Sequence, residues 1–354
     1  MISYQSGIRQ TPSISIYVLT KDVLAMMTSM LMFSGVLKRS LEAEILGILK
    51  CTYAESTKSS YRTHLKSYSA FCTVLGVPMV PAKPQMIALY AVLLARSLQY
   101  GSIPQYLNIV SLLHKSLSLE SPLESFLVKS TLRGIRNAIG GEPSIKLPVT
   151  PNMLYKIVYE LDLSVLHNAC VWMTCLVMFY GLLRKSNVVG THKILRGDCK
   201  LGTDSVEIHI KSSKTRNKHT DIPRVLSLPR LRDHVLCPVA AIIHYLSLSV
   251  GFAASVPLCS VLSNKSKPVV LSYKSIVDVV RQTVPADQKL SYSSHSFRRG
   301  GASYMYGIGM SVESIRLMGD WKSDCYQRYI HIDSSILSRQ SVSVMQQNLP
   351  PPPN

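Results

Sequence analysis

Apolar positions recur at helical spacing in four successive runs between Leu41 and Asn137, separated by turn signals at GVPMVPAKP and YGSIP. The first run, STKSSYRTHLKSYSAFCTVLG, opens on a Ser/Thr-rich cap region and sets Tyr61, Leu65, Tyr68, Phe71, Cys72 and Leu75 at helical spacing. Its other face offers Lys58, Arg62, His64 and Lys66. Three more helices follow in PQMIALYAVLLARSLQ, IPQYLNIVSLLHKSL and PLESFLVKSTLRGIRNAI, with Pro104 and Ser121/Pro122 placed for first turns. The last of them carries Lys129, Arg133 and Arg136 one helical turn apart. A helical bundle with basic faces on two of its helices is expected. Such a face is ordinarily solvated surface; its recurrence also suits a DNA-facing surface.

Gly and Pro density then rises around GGEPSIKLPVTPNML, which reads as an interdomain linker. Beyond it the pattern begins helical and turns β-like at DSVEIHIKSSKTRNKHTDIPRVL, where Val206, Ile208 and Ile210 alternate before a Lys-rich turn. It then returns to helix. The run VLHNACVWMTCLVMFYGLL (165–183) approaches the length of a bilayer span. It contains His167 and Asn168 and runs into Arg184, with no second span to partner it, so a helix buried on all sides is the better reading. The expected fold class is mainly α with a small β-hairpin or sheet, in two domains. The boundaries are an N-terminal extension (1–42), a helical domain (43–138), a linker (139–150), a second domain (151–340) and a Pro-rich tail (341–354).

Charge narrows the partner. Lys and Arg number 39 against 20 Asp and Glu, a formal net charge of +19 that attracts a polyanion at long range, nucleic acid foremost. Eight cysteines are scattered without a CxxC pair or zinc-ligand spacing and read as reduced thiols. Asp and Glu form no paired-carboxylate cluster, so a metal-dependent nuclease is poorly supported, and neither metal nor cofactor is expected. The first residues lack the basic-then-apolar order of a secretory signal, which points to an intracellular protein without a membrane association.

Four separated segments remain: GLLRKSN with Arg184, KSSKTRN with Lys214, SSHSFRRGGAS with His295 and Arg298, and LMGDWKSDCYQRYIHI with Trp321 and Tyr329. Each alone has a bland reading, such as an Arg snorkelling from a helix end or an HxxR pair used as a cap. Together and in this order they resemble the catalytic boxes of the tyrosine recombinase/integrase family, particularly its eukaryotic transposon-encoded branch (DIRS, Ngaro and Crypton-like elements). The boxes span 181–331, and the preceding helices are similar to that family's core-binding domain.

The resemblance implies a C-shaped clamp of core-binding and catalytic domains closing on double-stranded DNA. It implies strand cleavage and rejoining through a 3′-phosphotyrosine, for integration or excision of a mobile element. Arg184 and Arg298 would hold the phosphate oxygens, and Lys214, with Lys211 as the fallback, would protonate the leaving 5′ oxygen. Lys211 and Arg216 would also touch DNA from the hairpin. His295 would exchange a proton or bond the phosphate, Trp321 would donate its indole N–H, and Tyr329 would be the nucleophile, with Tyr326 three residues earlier as its rival. Asn187 stands where bacterial members commonly carry an acidic residue. The family works as a homo-tetramer on two duplexes, monomeric or dimeric without DNA, and the protein is expected in the nucleus if the host is eukaryotic. The segment DSSILSRQSVSVMQQ offers an apolar face for docking on a neighbouring protomer or packing in cis. A catalytically silent DNA-binding relative and a type IB topoisomerase are the alternatives.

Overall fold

The computed structural model describes residues 36–141, 146–190, 192–213 and 221–330, and the chain divides into two units, Met1–Pro143 and Ser144–Asn354. The first unit contains helices α1 (Val36–Leu49), α2 (Glu55–Leu75), α3 (Pro84–Ala95), α4 (Ile103–Ser116) and α5 (Phe126–Ile139). Helix α1 begins inside the stretch read from sequence as an extension.

Helix α2 starts behind Ala54, which makes no side-chain cap, so the Ser/Thr-rich segment lies within the helix instead of capping it. Gly76, with φ +62°, takes the left-handed turn that ends it. Proline stands in the first turn of α3 and α4, where its missing N–H costs nothing. Ser121 caps a short 3-10 turn (Pro122–Glu124), and α5 has its own cap, the Ser125 Oγ accepting from the Val128 N–H at 3.3 Å.

The unit's core is built from Tyr68, Phe71 and Cys72 of α2, Ile87, Tyr90 and Leu94 of α3, Leu107 and Val110 of α4 and Val128 of α5. Burying each Leu, Ile or Val stabilises the fold by roughly 1.5–3 kcal/mol. The two core tyrosines satisfy their hydroxyls, Tyr68 donating to the Met79 carbonyl and Tyr90 to Ser67 Oγ, each at 2.9 Å.

Two positions of α2 depart from the sequence reading. His64 belongs to the inward stripe of buried Tyr68 and Phe71 and partly buried Tyr61, at helical spacing with each of them, and its ring centroid lies 4.2 Å from that of Tyr106. Leu75 is exposed because the chain turns away at Gly76.

The second unit is assembled around α7 (Leu166–Tyr180), whose residues from Ala169 to Phe179 are all buried. It packs against α6 (Pro151–Glu160), α9 (Pro238–Leu248), α10 (Tyr273–Gln282), α11 (Ser294–Gly307) and strand β4 (Ser260–Leu262). No helix among the described residues is long and apolar enough to cross a membrane. The apolar run at 165–183 is therefore the helix at the centre of a core. Burial pushes the Cys170, Cys175 and Cys259 thiols up, so they remain protonated packing groups.

Strands β1 (Cys199–Leu201), β2 (Ser205–Ile210) and β3 (Arg224–Pro229) form an antiparallel sheet, and β4 pairs with β5 (Pro268–Val270). The period-two pattern of β2 does what it predicts: Val206, Ile208 and Ile210 are buried, with Val206 opposite Leu228 and Ile208 opposite Leu226.

The second half of the Gly/Pro-rich linker belongs to this unit. The Leu147 N–H donates to the Ser291 carbonyl and the Val149 N–H to that of Ser296, beside the start of α11. This contact explains the paired glycines of SFRRGGAS. A Cβ at Gly300 would stand 1.9 Å from the Val149 carbonyl oxygen, and one at Gly301 2.0 Å from that of Phe179. Only glycine lets α11 approach both backbones.

Candidate active site

Two helix ends meet on α11. Helix α7 ends in a turn with Leu182 in the left-handed region (φ +49°), the Leu183 N–H reaching back to the Met178 carbonyl. Helix α12 (Val312–Gly319) ends in a similar turn: Asp320 is left-handed (φ +52°), and the Trp321 N–H donates to the Arg316 carbonyl at 3.1 Å. Both turns leave carbonyls pointing out of a helix C-terminus, where the aligned peptide dipoles concentrate partial negative charge.

Arg298 joins these ends. Its Nη1 donates to the Leu182 carbonyl and its Nη2 to that of Gly319. The side chain is 1% exposed, and the Trp321 ring lies against it with 3.9 Å from guanidinium carbon to ring centroid. Arg224, the first residue of β3, uses the same two ends, donating to the Met318 carbonyl and, at 3.4 Å, to that of Gly181. Burial first, then the positive charge of Arg184, pushes Arg298 down to about 9; Arg224 acts in the same direction, while Tyr329 and Asp320 oppose it. Its buried Nε has no hydrogen-bond partner among the described residues. Clustered guanidinium charge with an unsatisfied buried donor is suited to an anion.

Arg184 leaves the α7 turn and precedes the short helix α8 (Lys185–Val188). Its Nη2 donates to the Asp320 carbonyl at 3.2 Å, and its Nη1 stands 3.6 Å from Asp320 Oδ2. Ser213, at the edge of the β2–β3 connection, donates its hydroxyl to the same carboxylate oxygen at 3.2 Å. Asn187 is buried and donates to the Ser212 carbonyl at 3.2 Å, tying the root of that connection to α8.

His295 lies in the first turn of α11, which a capping box of Ser293 and Ser296 secures. Its ring is 6.2 Å from that of Tyr329. Tyr329 follows the 3-10 turn Asp324–Arg328; its ring is 5.1 Å from Trp321 and 5.3 Å from the Arg298 guanidinium, and its carbonyl accepts from Ser303 Oγ at 3.3 Å. Tyr326 is half-buried at the edge of the same apolar cluster.

Arg184, His295, Arg298, Trp321 and Tyr329 are thus gathered in one place. Lys214 and Arg216 lie outside the described residues. Lys211 pairs at 2.6 Å with the buried carboxylate of Asp198, which also accepts from the Leu195 N–H. In the first unit Lys58 pairs with Glu55 and Lys129 with Glu124 at 2.7 Å, while Arg62, Lys66, Arg133 and Arg136 are exposed. Sequence reasoning missed Arg224 and Asp320. Asp320 had a faint signal, as a residue tolerant of the left-handed region just past a helix-ending Gly; Arg224 had none, since only the fold brings the start of β3 to the two helix ends.

No family model matches the sequence, and no curated protein does. Solved structures match its shape. XerH site-specific recombinase, in a post-cleavage complex with palindromic difH substrate, aligns with a TM-score of 0.57 at 13% identity, over 82% of this chain and 80% of that one. The Tn1549 transposon integrase in complex with transposon right end DNA gives 0.53 at 13% identity, over 84% and 95% of the two chains. A lambda integrase dimer bound to a COC′ core site gives 0.52 at 13%, over 88% and 81%. Identities this low speak for architecture alone, and the architecture, mainly helical with small antiparallel sheets, is the fold of the tyrosine recombinase catalytic domain.

Proposed function

We propose that the chain is a site-specific DNA recombinase that cleaves and rejoins strands through a 3′-phosphotyrosyl intermediate on Tyr329. The observation that carries this reading is the placement of the Tyr329 ring 5.3 Å from the buried Arg298 guanidinium and 5.1 Å from Trp321. The phenol oxygen attacks phosphorus, the bond to the 5′ oxygen breaks, and that oxygen leaves as a hydroxyl. Arg184 and Arg298 meet the charge that builds on the non-bridging oxygens, where a desolvated cation acts more strongly than in water. His295 exchanges the phenolic proton, Trp321 donates its indole N–H to a phosphate oxygen, and Lys214 protonates the leaving oxygen. The ester conserves the energy of the broken bond, so rejoining is the reverse attack and needs no nucleotide.

The same reading takes double-stranded DNA as the partner, held through phosphate by Lys58, Arg62, Lys66, Lys129, Arg133, Arg136, Lys211 and Arg216, and a homo-tetramer on two duplexes as the working assembly. The boxes' likeness to the eukaryotic transposon-encoded branch supports a role in mobile-element integration or excision and, in a eukaryotic host, a nuclear location. The test is a nicked duplex library that traps the covalent adduct. The full chain is expected to become attached to a 3′ DNA end, Tyr329→Phe to abolish attachment while DNA binding persists, and Tyr326→Phe to retain it. No adduct from the unmodified chain would leave a silent DNA-binding relative. Supercoil relaxation without two-site strand exchange would point to a topoisomerase.

A further inference from the structure

Asp320 is a carboxylate that pairs with an arginine of the site, and it touches more than that arginine. Its Oδ2 stands 3.6 Å from Arg184 Nη1 and accepts the Ser213 hydroxyl at 3.2 Å, while its carbonyl accepts from Arg184 Nη2 at 3.2 Å. The side chain is 8% exposed, so these contacts are made largely out of water, where a charged hydrogen bond is strong and geometrically demanding. The left-handed backbone at Asp320 (φ +52°, ψ +48°) aims the carboxylate, and the next residue is Trp321, whose ring lies on Arg298.

Three chain segments distant in sequence are therefore fastened at one side chain: the turn after α7 that carries Arg184, the start of the β2–β3 connection marked by Ser213, and the α12 turn that leads to Trp321 and Tyr329. We infer that Asp320 is a positioning residue, fixing the Arg184 fork for the scissile phosphate and holding the start of the β2–β3 connection in register with it. Asp320 touches no DNA in this scheme. It restrains Arg184, which carries its charge near that of Arg298, so that the phosphate meets a prepared fork instead of one that must be gathered at the moment of reaction. Asn187 holds the residue beside Ser213, donating to the Ser212 carbonyl.

This inference rests on the strand-cleavage reading, and the experiment separates the two. Covalent capture is timed with the full chain, Asp320→Asn, Arg184→Ala and the double variant, alongside DNA affinity and thermal unfolding. Asparagine keeps the left-handed turn and an acceptor for Ser213 but removes the charge. Capture by Asp320→Asn is expected to slow on the order of 100-fold, with DNA affinity within about threefold of the parent. The defect is expected to vanish in the Arg184→Ala background, because a residue acting through Arg184 has nothing left to position. Asp320→Glu is expected to recover part of the rate.

Failure of the unmodified chain to form any adduct would overturn the cleavage reading itself. An adduct formed equally fast by Asp320→Asn, or a defect that persists undiminished without Arg184, would overturn the positioning role alone. Asp320→Gly, which relieves the left-handed backbone, serves as a second variant; unfolding of both would make Asp320 a residue of the fold and overturn the proposal as well.

Discussion

The Arg298 guanidinium carbon stands 3.9 Å from the Trp321 ring centroid, and the same guanidinium bonds carbonyls where two helices end, that of Leu182 in the turn after α7 and that of Gly319 closing α12. The ring closes one side of a buried cation that would otherwise meet water or nothing. Replacing Trp321 by Phe keeps an aromatic face and is expected to retain folding with a reduced capture rate, since the N–H donor is gone. Trp321→Ala is expected to cost about 3–5 kcal/mol in urea unfolding, as large-to-small changes of buried aromatics do. Equal stability of the Ala variant and the parent would show that the ring does not support the site.

The glycines of α11 and α5 make opposite predictions for the same substitution. A Cβ at Gly301 would stand 2.0 Å from the Phe179 carbonyl oxygen, and helix backbone cannot yield that much, so Gly301→Ala is expected to destabilise by about 1–3 kcal/mol or more. A methyl added at Gly134 in α5 would meet nothing within 4 Å, so Gly134→Ala is expected to stabilise by roughly 0.5–1 kcal/mol. Paired urea titrations read both signs.

The exposed cations of the first unit are expected to act on affinity through salt. Arg133→Ala and Arg136→Ala should each lower the slope of log K against log salt by about 0.9. Lys129 is partly neutralised by Glu124, whose carboxyl the Lys129 ammonium holds below its usual range, so Lys129→Ala is expected to change the slope less. Binding isotherms at several salt concentrations decide this, and three equal slopes would show that the pair opens on DNA.

His64 carries the clearest pH dependence. Burial lowers its pKa below the ordinary 6.5, so the folded chain disfavours the imidazolium that the unfolded chain accepts. The unfolded state then binds more protons in the window between the folded value and 6.5. Stability is full above that window and falls as pH drops through it. His64→Phe, which keeps a ring against Tyr106, is expected to flatten the decline in thermal midpoint between about pH 7.5 and pH 5.5. A parallel decline in both proteins would mean that other groups set it.

Much of the local structure was legible because side-chain period is a local property. The alternation of Val206, Ile208 and Ile210 and the unbroken apolar run of α7 follow from pleat and helix geometry. Where the period was read slightly wrong, at His64, the error came from assigning a face by polarity when the packing partner Tyr106 lay on another helix.

The sequence by itself determined most of the helical and stranded segments and the positive charge that seeks a polyanion, and it nominated the side chains that the proposed chemistry uses. Only the tertiary structure decided how Arg298 is held: between the C-terminal carbonyls of α7 and α12, with Arg224 across the same pair and Asp320 fastening Arg184 to Ser213. Several of those contacts join residues more than a hundred positions apart, as Arg298 is from Leu182 and as Ser213 and Arg184 are from Asp320. Nothing in a local pattern encodes them, because the dipoles that stabilise a buried cation exist only after the helices end and meet.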